Sequence, residues 1–396
     1  MRLLARIFNT VAPLGIPFAW RQLTCDRKRF YTAIAGVTFG LVLMLYQLGI
    51  YTAAKRMAVF PLNALKGAIF ITSRNYGYFY ANRPFPKSVL YQIQAFPEVV
   101  SVAPVSVDFV KWKNTETGVD RYIGILAVNP SRNPFIHPEL TNQIHLLTNG
   151  ENVLFDRQSK EFDFGKVAAA FQENGDVTSE VESMRVRVKG LFSMGQTLVA
   201  AGHIVISDEG LARIYPNRPA NMINIGVVTL RPGTDPEEIQ HRLSDFLPKD
   251  VRVMTAEQFR SEEQDFWISR TMIGFICLAG MLVGMFVGGI VVYQILYTDV
   301  TDHLREYATL KAMGVTEMFL YCVVMTEALI LLLASFLPST ILLGGLFYVA
   351  RNVSGMPTEL AVSELMVVFA LAAVVCVFAG LLATRKLKTA DPADIY

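Results

Sequence analysis

The sequence predicts a membrane protein of four transmembrane helices, with a large mixed α+β extracytoplasmic domain carried on two long stalk helices. Three observations predict this. First, 52% of the 396 residues are hydrophobic and only 18% charged, too apolar for an ordinary soluble chain. Second, segments 30–51, 271–296, 318–348 and 361–384 are each long and apolar enough to cross a bilayer. Third, a long polar stretch between the first two repeats a strand–helix–strand pattern near its beginning and its end.

At the N-terminus, Arg2 and Arg6 followed by apolar residues look like a secretory signal, but Asn9, Pro13, Gly15 and Pro17 interrupt the apolar run and no small-residue cleavage site follows. The segment reads as retained. Ile16, Phe18, Trp20 and Leu23 could line one side of an amphipathic helix on the membrane surface; the alternative is a disordered tail. Orientation follows from the basic residues. Arg2, Arg6, Arg21, Arg27, Lys28 and Arg29 precede the first span and Arg385, Lys386 and Lys388 follow the last, whereas only Arg351 lies between spans three and four. Both termini are therefore expected in the cytoplasm, with segment 52–270 outside.

Two helices should extend beyond the membrane. Thr255-Ala256-Glu257-Gln258 has the form of a capping box with no breaker before the glycines of the second span. A helix over 256–296 would measure roughly 60 Å against a hydrocarbon core of about 30 Å. The first helix should likewise continue to Phe60, where Pro61 stops or bends it. Between these stalks, strands are expected at 67–72, 99–112 and 121–128 with a helix at 87–96, and again at 223–230 and 251–254 with a helix at 235–246. The two pieces could form one split sheet with helices on a single face. The turn-rich NPSRNPFIHPEL opens an inserted subdomain with short strands at 185–192 and 203–207. The resulting domains are 1–29; 30–60, first span and stalk; 61–255, the outer domain, split as 61–128 and 222–255 around insert 129–221; 256–296; 297–317; 318–349; 350–360; 361–384; and a tail, 385–396.

Composition and motifs exclude several functions. The net charge of +2 carries no basic field for nucleic acid. Cys25, Cys277, Cys322 and Cys376 leave the outer domain without cysteine, so it has no disulfide framework. No G-x-x-x-x-G-K-[ST] loop occurs, and His137, His145, His203 and His241 match no zinc spacing. Ser193 lacks the spacing of a nucleophile elbow. The chain is expected to be no enzyme and to bind no cofactor or metal itself.

What remains is positional. Gly280, Gly284 and Gly288, at four-residue spacing, make a face that another helix can approach closely, within one subunit or across a dimer. Glu327 is the one acid deep in an apolar helix, either a functional group or a structural hydrogen-bonding one, with no second buried charge expected to make a relay. Pro338 should bend the same helix. Tyr76, Tyr78, Phe79, Tyr80 and Phe85 are either a docking surface or core. Segment 292–314, VYQILYTDVTDHLREYATLKAMG, places a short polar helix between two spans on the cytoplasmic side. Asp299 and Asp302 suit its N-terminal end, Lys311 its last turn and Gly314 a left-handed stop. Leu304, Tyr307, Ala308 and Leu310 or Lys311 share a stripe that leaves His303, Arg305 and Glu306 elsewhere.

The four-span layout, the outer domain after the first span, the REYATLKAMG run and the missing ATPase together resemble the permease subunit of ABC transporters of the macrolide-exporter and lipoprotein-releasing type, the class that includes the FtsX proteins. Segments 291–314, RKLKTADPADIY (385–396), WKNTETG (112–118) and LFDRQSKEFDFG (154–165) resemble its DevC branch, the permease of a heterocyst-glycolipid exporter. The resemblance implies an inner-membrane homodimer whose ATP and Mg are bound by a separate ABC ATPase subunit. His303, Leu304, Arg305, Glu306, Tyr307, Leu310, Lys311, Met313 and Gly314 match that family's coupling helix, which rests in a groove of the ATPase. It further implies a periplasmic adaptor, an outer-membrane tunnel protein and lipid or glycolipid cargo, moved by mechanotransmission rather than through a wide channel. The alternative is an FtsX-like regulator of a cell-wall hydrolase, or export of another cargo.

Overall fold

The computed structural model describes residues 15–354, 356–359 and 361–385. The expectations for segments 1–14 and 386–396, Lys386 and Lys388 among them, lie outside the described residues. The chain divides into a helical unit, built from residues up to 53, 274–354 and 358 onward, and an α/β unit of residues 54–273.

The chain begins with α1 (Gly15–Cys25), α2 (Arg27–Ala58) and α3 (Phe60–Asn63). The α/β unit continues through β1 (Ile69–Ser73), β2 (Phe85–Pro86), α4 (Ser88–Ile93), β3 (Val99–Lys113), β4 (Asp120–Val128), α5 (Pro138–Gln143), β5 (Asn152–Asp156), α6 (Glu161–Phe164) and α7 (Val167–Asn174). It is completed by β6 (Val177–Val181), β7 (Met184–Phe192), β8 (His203–Ser207), α8 (Asp208–Ile214), β9 (Met222–Ile223), β10 (Ile225–Leu230), α9 (Pro236–Phe246), β11 (Val251–Thr255) and α10 (Ala256–Ser269). Then come α11 (Met272–Asp302), α12 (Leu304–Ala312), α13 (Glu317–Ser354) and α14 (Val362–Thr384).

Helices α2, α11, α13 and α14 are long and apolar enough to cross a membrane. Leu41 and Leu45 of α2, Leu296 and Val300 of α11, Val324 and Leu331 of α13, and Ala372 and Cys376 of α14 meet in one buried cluster. Polar links cross the same interface: Thr38 donates to the Ser335 carbonyl at 3.3 Å, and Ser335 to that of Ile34 at 3.4 Å. Pro338 does not end α13, and the Ser339 and Thr340 hydroxyls donate to the Phe336 carbonyl beside it.

The α/β unit is built on one nine-stranded sheet of order β11-β1-β10-β3-β4-β8-β5-β7-β6. The repeated strand–helix–strand pieces supply its first part, with antiparallel pairs β11/β1, β1/β10 and β10/β3. Helices α4 and α9 cover one face, where Val89, Leu90, Ile93, Ile239 and Leu243 pack on Ile69, Ile71, Val228 and Val253. The inserted strands make no sheet of their own. They extend this one through the parallel pair β4/β8, and a bridge from Trp112 to Val181 joins β6 back to β3. Strands β3, β4, β8, β5, β7 and β6 therefore close into a ring, filled by Trp112, Ile125, Phe155, Val188 and Ile204. The 112–118 and 154–165 runs, distant in sequence, meet beside it: Asn114 Nδ2 donates to the Phe162 carbonyl at 3.2 Å and Thr115 N to that of Phe164 at 3.4 Å.

The expected helix over 256–296 is interrupted. α10 starts at the predicted capping box, where Thr255 Oγ1 accepts from Gln258 N and Gln258 Oε1 from Thr255 N. It ends at Ser269 because Thr271 competes for the backbone: its hydroxyl donates to the Trp267 carbonyl and accepts from Ile273 N. α2 likewise ends at Ala58, two residues before the expected Phe60, and Pro61 lies in the first turn of α3. Tyr76, Phe79, Tyr80 and Phe85 are buried, which assigns most of that aromatic cluster to core. Tyr78 packs on Phe266 and Trp267 at 5.1 Å from each.

Candidate functional site

The short helix predicted between the second and third spans is α12, nine residues long. Its C-terminal stop is built as the sequence requires: Gly314 takes φ +90°, and Val315 N returns to the Leu310 carbonyl at 3.0 Å. Its start differs from expectation. Asp299 and Asp302 belong to the end of α11, and a single residue, His303, separates the two helices without giving a side-chain cap. The reason is that both aspartates are engaged elsewhere. Arg29 donates to Asp302 at 2.7 Å and to the Ile295 carbonyl at 3.1 Å, while Asp299 is drawn inward.

The predicted stripe divides α12 in two. Tyr307 and Ala308 are buried, Leu304, Leu310 and Lys311 half-buried, and Arg305 and Glu306 exposed. Met313 is 69% exposed. Lys311 pairs with Glu317 at 2.8 Å, and His303 Nδ1 lies 3.0 Å from the Asp299 carbonyl. Among the described residues, Arg305 and Glu306 form no salt bridge with each other or with any other side chain. A solvated pair of opposite charges on a helix whose other face is fixed is suited to a complementary protein surface.

Beneath α12 lies a polar node that the sequence did not disclose. The side-chain nitrogen of Gln22, on α1, donates to Asp299 Oδ2 at 2.9 Å and to the Tyr307 hydroxyl at 2.8 Å. Burial, and then the neighbouring acids Glu327 and Asp299, push the Tyr307 phenol far above its ordinary range, so it stays neutral. Glu327, completely buried on α13, sets its carboxyl beside that of Asp299. A second buried acid therefore accompanies Glu327, one that sequence reading left outside the spans. Gln22, Arg29, Asp299, Asp302 and His303 line a cavity of about 250 Å³ there. Of the α1 side chains described, Ala19, Gln22 and Leu23 are buried and Trp20 is exposed, so Leu23 keeps its expected place and Trp20 does not.

The glycine seam is used within the chain. A Cβ added at Gly284 would stand 3.0 Å from Leu43 Cβ and from Met44 N, and one at Gly280 would run into the Gln47 side chain. Gly288 faces Gly40, so the whole seam packs on α2.

In the α/β unit, His203 Nδ1 lies 3.6 Å from Asp156 Oδ2 with Tyr80 stacked over the ring. Both members of that pair are completely buried, which shuts them off from any substrate in solvent. Among the described residues no three His, Cys, Asp or Glu side chains group to hold a metal ion.

Residues 278–392, which include α12 and the last two long helices, match the family described as FtsX-like permease C-terminal. Uncharacterized ABC transporter permeases from two strains of Mycobacterium tuberculosis are each 22% identical over 382 residues, covering 96% of this chain and 98% of theirs. Among solved structures, the periplasmic region of MacB from Actinobacillus actinomycetemcomitans is 12% identical with a TM-score of 0.36, covering 50% of this chain and 94% of that one. The extracellular domain of the noncanonic ABC-type transporter YknZ from Gram-positive bacteria is 13% identical with a TM-score of 0.32, covering 43% and 90%. By sequence, this chain is ABC transporter permease-like, with an FtsX-like permease segment at residues 278–392.

Proposed function

We propose that this chain is the permease subunit of an ABC exporter and that it receives ATP-driven motion from a separate ATPase through α12. The observation that carries the reading is the division of that helix: Tyr307 and Ala308 are fixed in the helical core, while Arg305, Glu306 and Met313 face solvent. A helix held this way transmits a push to the helices on either side of it. Of the residues matched to the coupling helix, the exposed Arg305, Glu306, Met313 and Gly314 then form the ATPase contact, with the half-buried His303, Leu304, Leu310 and Lys311 at its edge and the buried Tyr307 anchoring it from behind. ATP and Mg belong to the partner, since the chain has no phosphate-binding loop of its own. The basic residues flanking the first and last spans put α12 and both termini on the cytoplasmic side and the α/β unit outside.

On this reading the α/β unit drives a periplasmic adaptor and, through it, an outer-membrane tunnel protein, and the permease works as a homodimer. A lipid or glycolipid cargo is supported only by the branch resemblance of segments 291–314, 385–396, 112–118 and 154–165. The test is charge reversal of Arg305 and Glu306 in the full-length permease reconstituted with its ATPase. Loss of permease-stimulated hydrolysis, with the protease-resistant α/β fragment unchanged, is expected. Undiminished stimulation would overturn the reading. Lipid analysis of a strain lacking the permease addresses the cargo.

A further inference from the structure

We propose that Gln22 is a positioning residue for the ATPase contact, setting the register of α12 from a different helix. The inference rests on the reading of α12 as that contact.

Backbone bonds run through the start of α12, from His303 N to the Asp299 carbonyl at 3.1 Å and from Tyr307 N to the His303 carbonyl at 3.0 Å, but no side chain caps it. α11 and α12 meet at one residue, His303, with φ −98° and ψ 16° and no side-chain cap. Orphan N–H groups at a helix start normally gain a capping partner. Here a side-chain tie from another helix is added to the backbone bonds. Asp299 lies before the junction and Tyr307 after it, and Gln22 binds both from a helix 277 and 285 positions away.

The chemistry of the amide makes this a tie rather than two competing contacts. A side-chain amide nitrogen carries two hydrogens, so it serves both acceptors at once. At 2.9 Å and 2.8 Å both bonds are of ordinary length. Gln22 is 9% exposed, Asp299 4% and Tyr307 completely buried, so water does not readily replace a lost bond. The base of the tie is itself packed, because Ala19 and Leu23 on α1 are buried on either side of Gln22. Arg29 adds a second link from the start of α2 to the end of α11 through Asp302 and the Ile295 carbonyl. It makes no hydrogen bond to α12, and among the described residues Gln22 is the side chain hydrogen-bonded on both sides of the junction.

The experiment uses full-length permease in lipid nanodiscs with its ATPase, measuring hydrolysis as the ATPase is titrated and, separately, the melting temperature. Gln22→Leu and Tyr307→Phe should each lower maximal stimulated hydrolysis about fivefold, while the half-saturating ATPase concentration moves less than about twofold, the scale of one lost hydrogen bond. The double variant should be no worse than Gln22→Leu, because both changes remove the same bond. A purely structural role would lower the melting temperature and leave stimulation per folded permease intact, and that result overturns the inference. Should Gln22→Leu not fold, Tyr307→Phe, which loses only a hydroxyl, carries the same test. Arg305→Glu separates the two claims. If it leaves stimulation unchanged, the ATPase reading fails; if it abolishes stimulation while Gln22→Leu retains it, the positioning role alone fails.

Discussion

Gly40 and Gly288 bring two apolar helices into backbone contact, and the contact is asymmetric. A Cβ at Gly40 would stand 2.8 Å from Gly288 Cα, 3.0 Å from its nitrogen and 3.1 Å from the Gly284 carbonyl oxygen. A Cβ at Gly288 would meet only Gly40 Cα, at an ordinary 3.8 Å. The two alanine variants should therefore differ. Gly40→Ala must push backbone against backbone and should cost about 1–3 kcal/mol. Gly288→Ala should be close to neutral. Thermal unfolding of the purified permease in detergent checks the order; equal losses would mean that the seam is looser than drawn.

Trp112 closes the ring of strands. It is completely buried, packs on Phe155 at 5.1 Å and faces Val181 across the bridge between β3 and β6. Trp112→Ala should destabilise the α/β unit by about 3–5 kcal/mol and expose the β6–β7 hairpin to protease. Its indole N–H has no hydrogen-bond partner, so Trp112→Phe gives up little and should retain most of the protease resistance. Limited proteolysis of the full-length protein reads both.

Much of this architecture was legible because it is written in local patterns. Long apolar runs marked the four long helices, Thr255 and Gln258 marked the start of α10, and Gly314 marked the stop after α12. What escaped was tertiary. Nothing in the 112–118 run announces that Trp112 will face Val181, since register between distant strands depends on the whole sheet. Thr271 reads as one polar residue at the edge of an apolar span, and its competition for the Trp267 carbonyl is visible only in place. Gln22 shows the limit most plainly. Pattern reading assigns polar residues to the outside of an amphipathic helix and Trp20 to the inside, yet Gln22 is buried and Trp20 exposed, because the partners that satisfy an amide lie on helices far along the chain.

Glu263 gives the α/β unit a pH signature. Its carboxylate, buried on α10, accepts from the Tyr76 hydroxyl, from Phe79 N at 3.0 Å and from Trp267 Nε1 at 3.0 Å. Burial outweighs these bonds and raises its carboxyl above the ordinary range. As pH rises from the ordinary carboxylate value to the raised one, the unfolded chain releases its proton before the folded chain does. Stability should therefore fall across that window and level off above it. Glu263→Gln has no proton to release there and should show a flatter profile, visible in melting temperatures taken from acid to neutral pH. Glu263→Ala should instead lose stability at every pH, by about 1–3 kcal/mol, because it strands buried donors.

Asp299 and Glu327 pose the opposite problem in the helical unit. Both are buried acids with adjacent carboxyls; His303 Nδ1 lies 3.6 Å from Asp299 Oδ1, and Arg29 is already bonded to Asp302. Two carboxyls side by side in apolar surroundings repel when both are ionised, so removing either charge should help. Glu327→Gln keeps the shape of the side chain. Asp299→Asn keeps an oxygen to accept from Gln22, whose bond to Asp299 needs no charge. Each variant should raise the melting temperature at neutral pH. The double variant should gain less than the sum, because the first substitution already removes the shared repulsion. Additive gains would show that the two carboxyls act independently, and a loss in Glu327→Gln would show that its ionised form is held by a bond worth more than the repulsion.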